Sequence, residues 1–231
     1  MSVREEKDVV VLPAFVSLMT HELAQPLAAA LGSTYTLKEQ KDSGQLDEAT
    51  RDLLCNTTIR NLEQLQSLLD NLRIFSEAEA GILRVHPSPV SIDDLFRDAE
   101  DDFTSLWPHR RVAFLREPGL QVEVDITLFR QVLTNLINNA VKFSPTDSLV
   151  RIEARRASDD EVVIAVADEG EGFPPKEAEH IFERAVRLHE GKKGMGVGLF
   201  VSRAIAESHG GRIWAENTDS GARFSVAVPA A

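Results

Sequence analysis

Four runs of residues combine types and spacings that chemistry can use. The first is Asp168-Glu169-Gly170-Glu171-Gly172, just after an apolar stretch ending at Val166. A carboxylate at a strand end, followed by glycines that let the backbone approach a ligand, is suited to reading the edge of a base. The second, Gly194-Met195-Gly196-Val197-Gly198, runs straight into a helical pattern beginning near Leu199. A glycine-rich turn at a helix N-terminus presents free N–H groups and the positive end of the dipole, which is what phosphates bind. Spacing excludes two familiar phosphate loops. G-x-G-x-x-G would need glycine where Leu199 stands, and a Walker loop would need Ser or Thr after Gly191-Lys192, where Lys193 stands. Taken alone, each run is either a tight turn or a ligand loop.

The third run is Asn135, Asn139 and Lys142, on a helix predicted over residues 127–142 with Leu128, Val132, Leu136 and Ala140 along one face. Residues four apart share a face, so both amides point the same way and Lys142 lies one turn further on. Amide oxygens can complete the shell of a hard cation such as Mg²⁺, and Lys142 can neutralise phosphate charge. Capping of nearby backbone by the two asparagines is the alternative. The fourth run is His21-Glu22-Leu23-Ala24-Gln25-Pro26-Leu27. Met19 and Leu23 are each two positions from His21, roughly 200° round a helix, so the imidazole faces away from their stripe. A zincin motif would need His where Gln25 stands. Proline inside a helix removes a backbone bond and kinks it, and here it follows an expected exposed His-Glu pair.

Two textures position these runs. Residues 15–80 read as two helices broken at Lys41-Asp42-Ser43-Gly44. The first carries Val16, Met19, Leu23, Ala30 and Leu37 on a stripe. In the second, Cys55, Thr58, Leu62, Leu65, Leu69, Leu72 and Ser76 alternate spacings of three and four, a heptad seam flanked by Ile59, Leu68 and Phe75. A hairpin of two helices has too little surface to bury both stripes. It packs either on the rest of its chain or on a second copy as a four-helix bundle. Residues 81–90, with Pro87 and Pro89, read as a linker. A capping-box start at Ser91 then opens a helix through Phe103. Strands are predicted over 111–115, 121–124, 150–154, 162–166, 212–216 and 223–228, and a last helix over 199–208. The class is α+β: a helical hairpin over 1–80, then over 91–231 an α/β sandwich with helices on one face of a mixed sheet.

Composition narrows the functions. The chain has 231 residues, 43% hydrophobic and 27% charged, as in soluble globular proteins. No apolar run approaches the roughly 18 residues needed to span a bilayer, and the N-terminus lacks the flanks of a secretory signal. The single cysteine, Cys55, permits no intrachain disulfide and fits a reducing, cytoplasmic setting. A formal net charge of −12 argues against a nucleic-acid partner.

Together these runs resemble the sensor histidine kinases of two-component signalling, from about Phe15 to Pro229. The His21 run looks like the family's phosphoacceptor box, and its Gln25-Pro26-Leu27 ending is closest to the subgroup that includes the rhizobial oxygen sensors. Asn135 to Lys142 is similar to the asparagine box and Asp168 to Gly172 to the first glycine box. Ile181-Phe182-Glu183-Arg184 is similar to the phenylalanine box, and Gly194 to Leu199 to the second glycine box.

The resemblance implies a dimeric four-helix bundle bearing the phosphoacceptor, followed by a two-layer Bergerat ATP-binding fold. It implies ATP and Mg²⁺ as cofactors. Asp168 would accept a hydrogen bond from the adenine amino group, with Gly170 and Gly172 beside it. Asn135 and Asn139 would hold Mg²⁺, Lys142 would contact phosphate and Phe143 would line the pocket. Gly194, Gly196, Gly198 and Leu199 would form the phosphate turn, with residues 186–193 a mobile lid hinged at Gly191 and Gly194. His21 would take the γ-phosphoryl while Glu22 accepts or orients the proton on the other ring nitrogen, imidazole titrating near neutral pH. The phosphoryl group would pass to an aspartate of a response regulator. Gln25 stands where Thr or Asn is common, a position tied to phosphatase activity, and Ala185 where a second aromatic is common. About 14 residues precede the first helix, so input is expected from a longer chain or from a separate sensor chain. The rival readings are a non-enzymatic phosphotransfer or docking module, which should have lost Asp168 or its glycines, and a superfamily ATPase. The ATPase would need a water-activating glutamate where Asn135 stands.

Overall fold

The computed structural model describes residues 3–43, 47–107, 109–183 and 196–231. The expected lid over residues 186–193, with Gly191 and Gly194, lies outside the described residues. Two compact units meet in sequence between Arg73 and Ile74.

The first unit is built from α1 (Val3–Ser43) and α2 (Glu48–Glu79) as far as Arg73. α1 runs unbroken through Pro26, whose side chain is buried. Asp47 caps α2, its Oδ1 accepting from Thr50 N at 2.7 Å, and hydrogen bonds from the Thr50 side chain and backbone hold its carboxyl below the usual range. The heptad seam splits in two. Cys55, Leu62, Leu69 and Ser76 are exposed, whereas Thr58, Leu65 and Leu72 are half-buried. On α1 Val16, Leu27, Leu31 and Tyr35 are likewise exposed. Leu27, Leu31 and Tyr35 lie outside the stripe read from sequence and form a second apolar face.

The second unit takes up the end of α2, because Ile74 is buried and the Phe75 ring lies 5.2 Å from Phe200. That join falls seven residues before the boundary expected at residue 80. Then come β1 (Ser88–Ser91), α3 (Ile92–Leu106), β2 (Arg111–Arg116), β3 (Gln121–Val124) and α4 (Ile126–Phe143). They are followed by β4 (Leu149–Ser158), β5 (Glu161–Ala167), α5 (Gly198–Ser208), β6 (Arg212–Asn217) and β7 (Ala222–Pro229). Five strands form one sheet in the order β2-β4-β5-β7-β6, parallel only between β2 and β4. Strand β1 lies in the segment expected as linker. It pairs antiparallel with β3, Pro89 opposite Glu123, in a separate two-stranded sheet where proline is tolerated at an edge.

The core follows from alternation. Val150 and Ile152 of β4, Val162, Ile164 and Val166 of β5, and Phe224, Val226 and Val228 of β7 share one cluster with the apolar faces of α3, α4 and α5. Two caps start helices, at Ser91 as the sequence indicates and at Asp125. Ser91 Oγ accepts from Asp93 N, and Asp125 Oδ1 accepts from Thr127 N and Leu128 N. The result is a two-layer α/β sandwich.

Candidate active site

Asp168 sits one residue past β5, where the strand leaves the sheet. Its N–H donates to Ala222 O at 2.9 Å, so the first residue of β7 fixes its backbone. Its side chain is 4% exposed, and Oδ1 accepts from Gly170 N at 2.8 Å and from Ala222 N at 3.4 Å. A buried carboxylate held by backbone N–H groups is oriented before any ligand arrives.

The turn beyond it leaves no room for side chains. A Cβ at Gly170 would lie 2.5 Å from Phe143 O and 2.8 Å from Asp168 Oδ1, so the end of α4 packs directly against this turn. Gly221 closes the other side, where a Cβ would come 2.3 Å from Asp168 O and 2.6 Å from Gly170 N. Asn217 completes the clamp: its Oδ1 accepts from Phe173 N at 3.0 Å and its Nδ2 donates to Phe173 O at 2.6 Å. Gly221 and Asn217 were not singled out from sequence. Their only signal there was turn chemistry in Asn217-Thr218-Asp219-Ser220-Gly221, which says nothing of Asp168.

α4 carries the amide and ammonium groups. Asn135 is buried; its Nδ2 donates to Gly198 O at 3.2 Å and Ser202 Oγ at 3.5 Å, and its Oδ1 accepts from Gln131 Nε2 at 3.3 Å. Asn135 therefore braces α4 against the first turn of α5, a role that its spacing from Asn139 did not reveal. Asn139 is half-buried one turn on, Lys142 is exposed, and Phe143 is half-buried with Lys142 Nζ 4.7 Å from its ring centroid. Gly198 opens α5, Leu199 is half-buried in its first turn, and Gly196 and Gly172 have φ of 70° and 69°. A second brace ties the far ends of the same helices. His209 Nδ1 donates to Ile205 O at 2.8 Å, and its Nε2 accepts from Asp125 N at 2.8 Å. Ile181 and Phe182 are buried, Phe182 edge-on to Phe224 at 6.4 Å. Beside them the Glu183 carboxylate, 3.0 Å from His180 Nδ1, holds that imidazole above its ordinary pKa. Among the described residues no cluster of three or more His, Cys, Asp and Glu could hold a metal ion.

In the first unit His21 is exposed on α1 and its Nε2 lies 2.9 Å from Gln25 Nε2. An amide nitrogen only donates, so Nε2 is the acceptor and the ring proton is assigned to Nδ1. Glu22 is 7% exposed, which corrects the expectation of an exposed His-Glu pair. Adjacent helix positions diverge by about 100°, enough to put one side chain in solvent and the next inside. No helix among the described residues is long and apolar enough to cross a membrane.

A strand-end carboxylate, a glycine turn too tight for a Cβ and the end of an amide-bearing helix thus meet in one constellation of the two-layer sandwich. Comparison with known proteins extends this to the whole chain. Residues 124–231 match the family described as histidine kinase-, DNA gyrase B- and HSP90-like ATPase, and residues 13–81 match the His kinase A phospho-acceptor domain. The chain is 28% identical over 223 residues to the adaptive-response sensory kinase SasA of Synechococcus sp. (strain JA-2-3B'a(2-13)), covering 93% of this chain and 58% of that one. The chain thus spans little more than half the length of that relative. Among solved structures, the ATP-binding domain of PrrB from Mycobacterium tuberculosis is 30% identical, with 63% of this chain and 98% of that one covered and a TM-score of 0.52. Histidine kinase ThkA, solved in complex with the response regulator protein TrrA, shares the fold at 23% identity, with a TM-score of 0.61 over 98% of this chain and 64% of that one. The chain belongs to the sensor histidine kinases, with a phosphoacceptor domain followed by an ATPase-type domain.

Proposed function

We propose that the chain binds ATP against Asp168 and α4, phosphorylates its own His21, and passes the phosphoryl group to an aspartate of a response regulator. The observation that carries this reading is the pre-set Asp168 carboxylate. It is buried, backbone-held and walled by glycines 170 and 221, on a chain that also presents an exposed histidine in a phospho-acceptor domain. The second oxygen of Asp168 accepts from the adenine amino group, and Gly170 and Gly172 keep the backbone clear of the base. Asn139, and Asn135 through its Oδ1, suit a Mg²⁺ ion, Lys142 suits phosphate oxygens, and the N–H groups from Gly194 to Leu199 suit the phosphate chain. Mg²⁺ would supply charge neutralisation for the transferring group.

The chain's own part in the transfer is orientation and proton handling. The lone pair on His21 Nε2 forms the new N–P bond as the bond between the γ-phosphorus and the ADP oxygen breaks, and the proton on Nδ1 passes to Glu22 or is oriented by it. Either role requires the buried Glu22 carboxylate to turn toward the exposed ring. Gln25 must release Nε2 first, because it donates to that lone pair in the resting side chain. Two chains pair through the exposed apolar faces of α1 and α2 into a four-helix bundle, which would cover Leu27, Leu31, Leu62 and Leu69.

The test is incubation of the purified chain with Mg²⁺ and γ-labelled ATP beside His21→Gln and Asp168→Ala. Acid-labile, base-stable label on the wild type alone is expected. Histidine-linked label surviving in His21→Gln would overturn the acceptor assignment, and undiminished label in Asp168→Ala would overturn the nucleotide assignment.

A further inference from the structure

Arg110 lies in the loop between α3 and β2, outside every run discussed above. Its guanidinium reaches the C-terminal end of α4. Nη2 donates to Val141 O at 2.7 Å and to Ser144 O at 3.4 Å. Nη1 donates to Ser144 O and Ser144 Oγ, both at 3.5 Å, and to Pro145 O. The last carbonyls of a helix have no partner within it, and a cation there is favoured by the helix dipole. A planar fork of N–H groups can serve Val141 O inside the helix and the Ser144 and Pro145 carbonyls just past it together, which a point-like ammonium does poorly.

The turn that Arg110 closes is the one that bears Lys142 and Phe143. Phe143 O is the atom a Cβ at Gly170 would strike at 2.5 Å, so the backbone at 143 sets the wall against which the Asp168–Gly170 turn rests. Ser144 secures its own side of the turn, its N–H and Oγ donating to Ala140 O at 3.2 and 2.6 Å. Further up the helix Asn135 is fastened separately to Gly198 and Ser202. The final turn of α4 therefore depends on Arg110 where the middle of the helix does not.

We infer that Arg110 is a positioning residue for the nucleotide. By holding the last turn of α4 it fixes Lys142 and seats Phe143 O against Gly170, and so raises nucleotide affinity without touching the ligand. This rests on the assignment of ATP to the second unit.

The experiment measures binding of a non-hydrolysable ATP analogue with Mg²⁺ by calorimetry, well below the unfolding temperature, and backbone amide exchange, on the full chain. Variants are Arg110→Ala, Arg110→Lys and, as control, Arg130→Ala, which removes an exposed ion pair with Asp98 from the same helix. Arg110→Ala should bind about tenfold more weakly and exchange the Phe143 and Ser144 amides about tenfold faster, the scale of one charge-assisted contact. Arg110→Lys should fall between it and the wild type, and Arg130→Ala should stay within about twofold on both readouts. Arg110→Ala binding within twofold of wild type, or Arg110→Ala and Arg130→Ala weakening equally, overturns the inference. Should Arg110→Ala fail to fold, Arg110→Lys decides: about threefold weaker binding with faster exchange at 143 and 144 supports the inference, and wild-type values overturn it. A folded wild type that binds no nucleotide overturns the ATP assignment itself, and this inference with it.

Discussion

Replacing Gly170 with alanine tests how closely the end of α4 and the Asp168 turn are fitted. The added Cβ would lie 2.5 Å from Phe143 O and 2.8 Å from Asp168 Oδ1. An ordinary carbon–oxygen contact is about 3.3 Å, so the turn must open by about 0.8 Å. Phe143 O is backbone in a helix end pinned by the hydrogen bonds of Arg110 and Ser144, and it cannot swing aside as a flexible side chain would. Forced overpacking of this kind costs about 2 kcal/mol, which lowers the melting temperature by about 6 °C in a domain of this size. Opening the turn also strains the 2.8 Å bond from Gly170 N to Asp168 Oδ1, so affinity for Mg²⁺–nucleotide should fall at least about tenfold. Gly119→Ala is the matched control. Its φ of 71° costs about 1 kcal/mol for any side chain, but nothing lies within 4 Å of the new Cβ, so stability drops and affinity holds. Thermal unfolding and calorimetric titration of both variants give the answer. A Gly170→Ala protein melting within a degree of wild type and binding nucleotide equally well would refute the close-packing argument.

Asn217→Ala strips Phe173 of both hydrogen bonds to its backbone and should cost about 2–3 kcal/mol in urea unfolding; a loss below about 0.5 kcal/mol would mean the clamp is not needed. Glu161 is held below the usual carboxylate range mainly by the hydrogen bond from Arg212. Because its folded-state value is depressed, the pair stabilises the fold above about pH 4.3 and loses that contribution as pH falls through the folded value. Wild type should therefore melt above Glu161→Gln at pH 6, with the gap closing below about pH 4; a gap that widens on acidification contradicts this. Gln25→Ala frees the His21 Nε2 lone pair from a neutral hydrogen bond of about 1 kcal/mol, so initial autophosphorylation should quicken by about fivefold, and a slower variant would mean that Gln25 orients the ring.

Much of this molecule depends on neighbours within about four residues, and that part was legible in the chain. The helix of Asn135, Asn139 and Lys142, the strand ending before Asp168 and the glycines after it all follow from local periodicity and turn chemistry. So does the heptad of α2, although only burial separated its exposed members Leu62 and Leu69 from the half-buried Leu65 and Leu72. Proline at 87 and 89 suggested a linker, and strand β1 exists because β3 offers an edge that a local reading does not see. Glu22 was expected outside and is buried, since the choice between adjacent helix faces belongs to the packing.

The contacts that shape the site are of another kind. Gly221 reaches Asp168 because β7 pairs with β5, Arg223 opposite Ala167, and Asn217 reaches Phe173 because the end of β6 pairs with β7, Asn217 opposite Ala222. Phe143 O meets Gly170 across the whole of β4 and β5, Asn135 meets Gly198 across 63 positions, and Arg110 meets Ser144 across 34. Residue type and spacing determined which elements form and which groups they carry, because those choices are made by short-range sterics and hydrogen bonding. Tertiary structure decided which of those groups face one another, because closing such long loops is favourable only once the sheet register and the shared core hold their ends together.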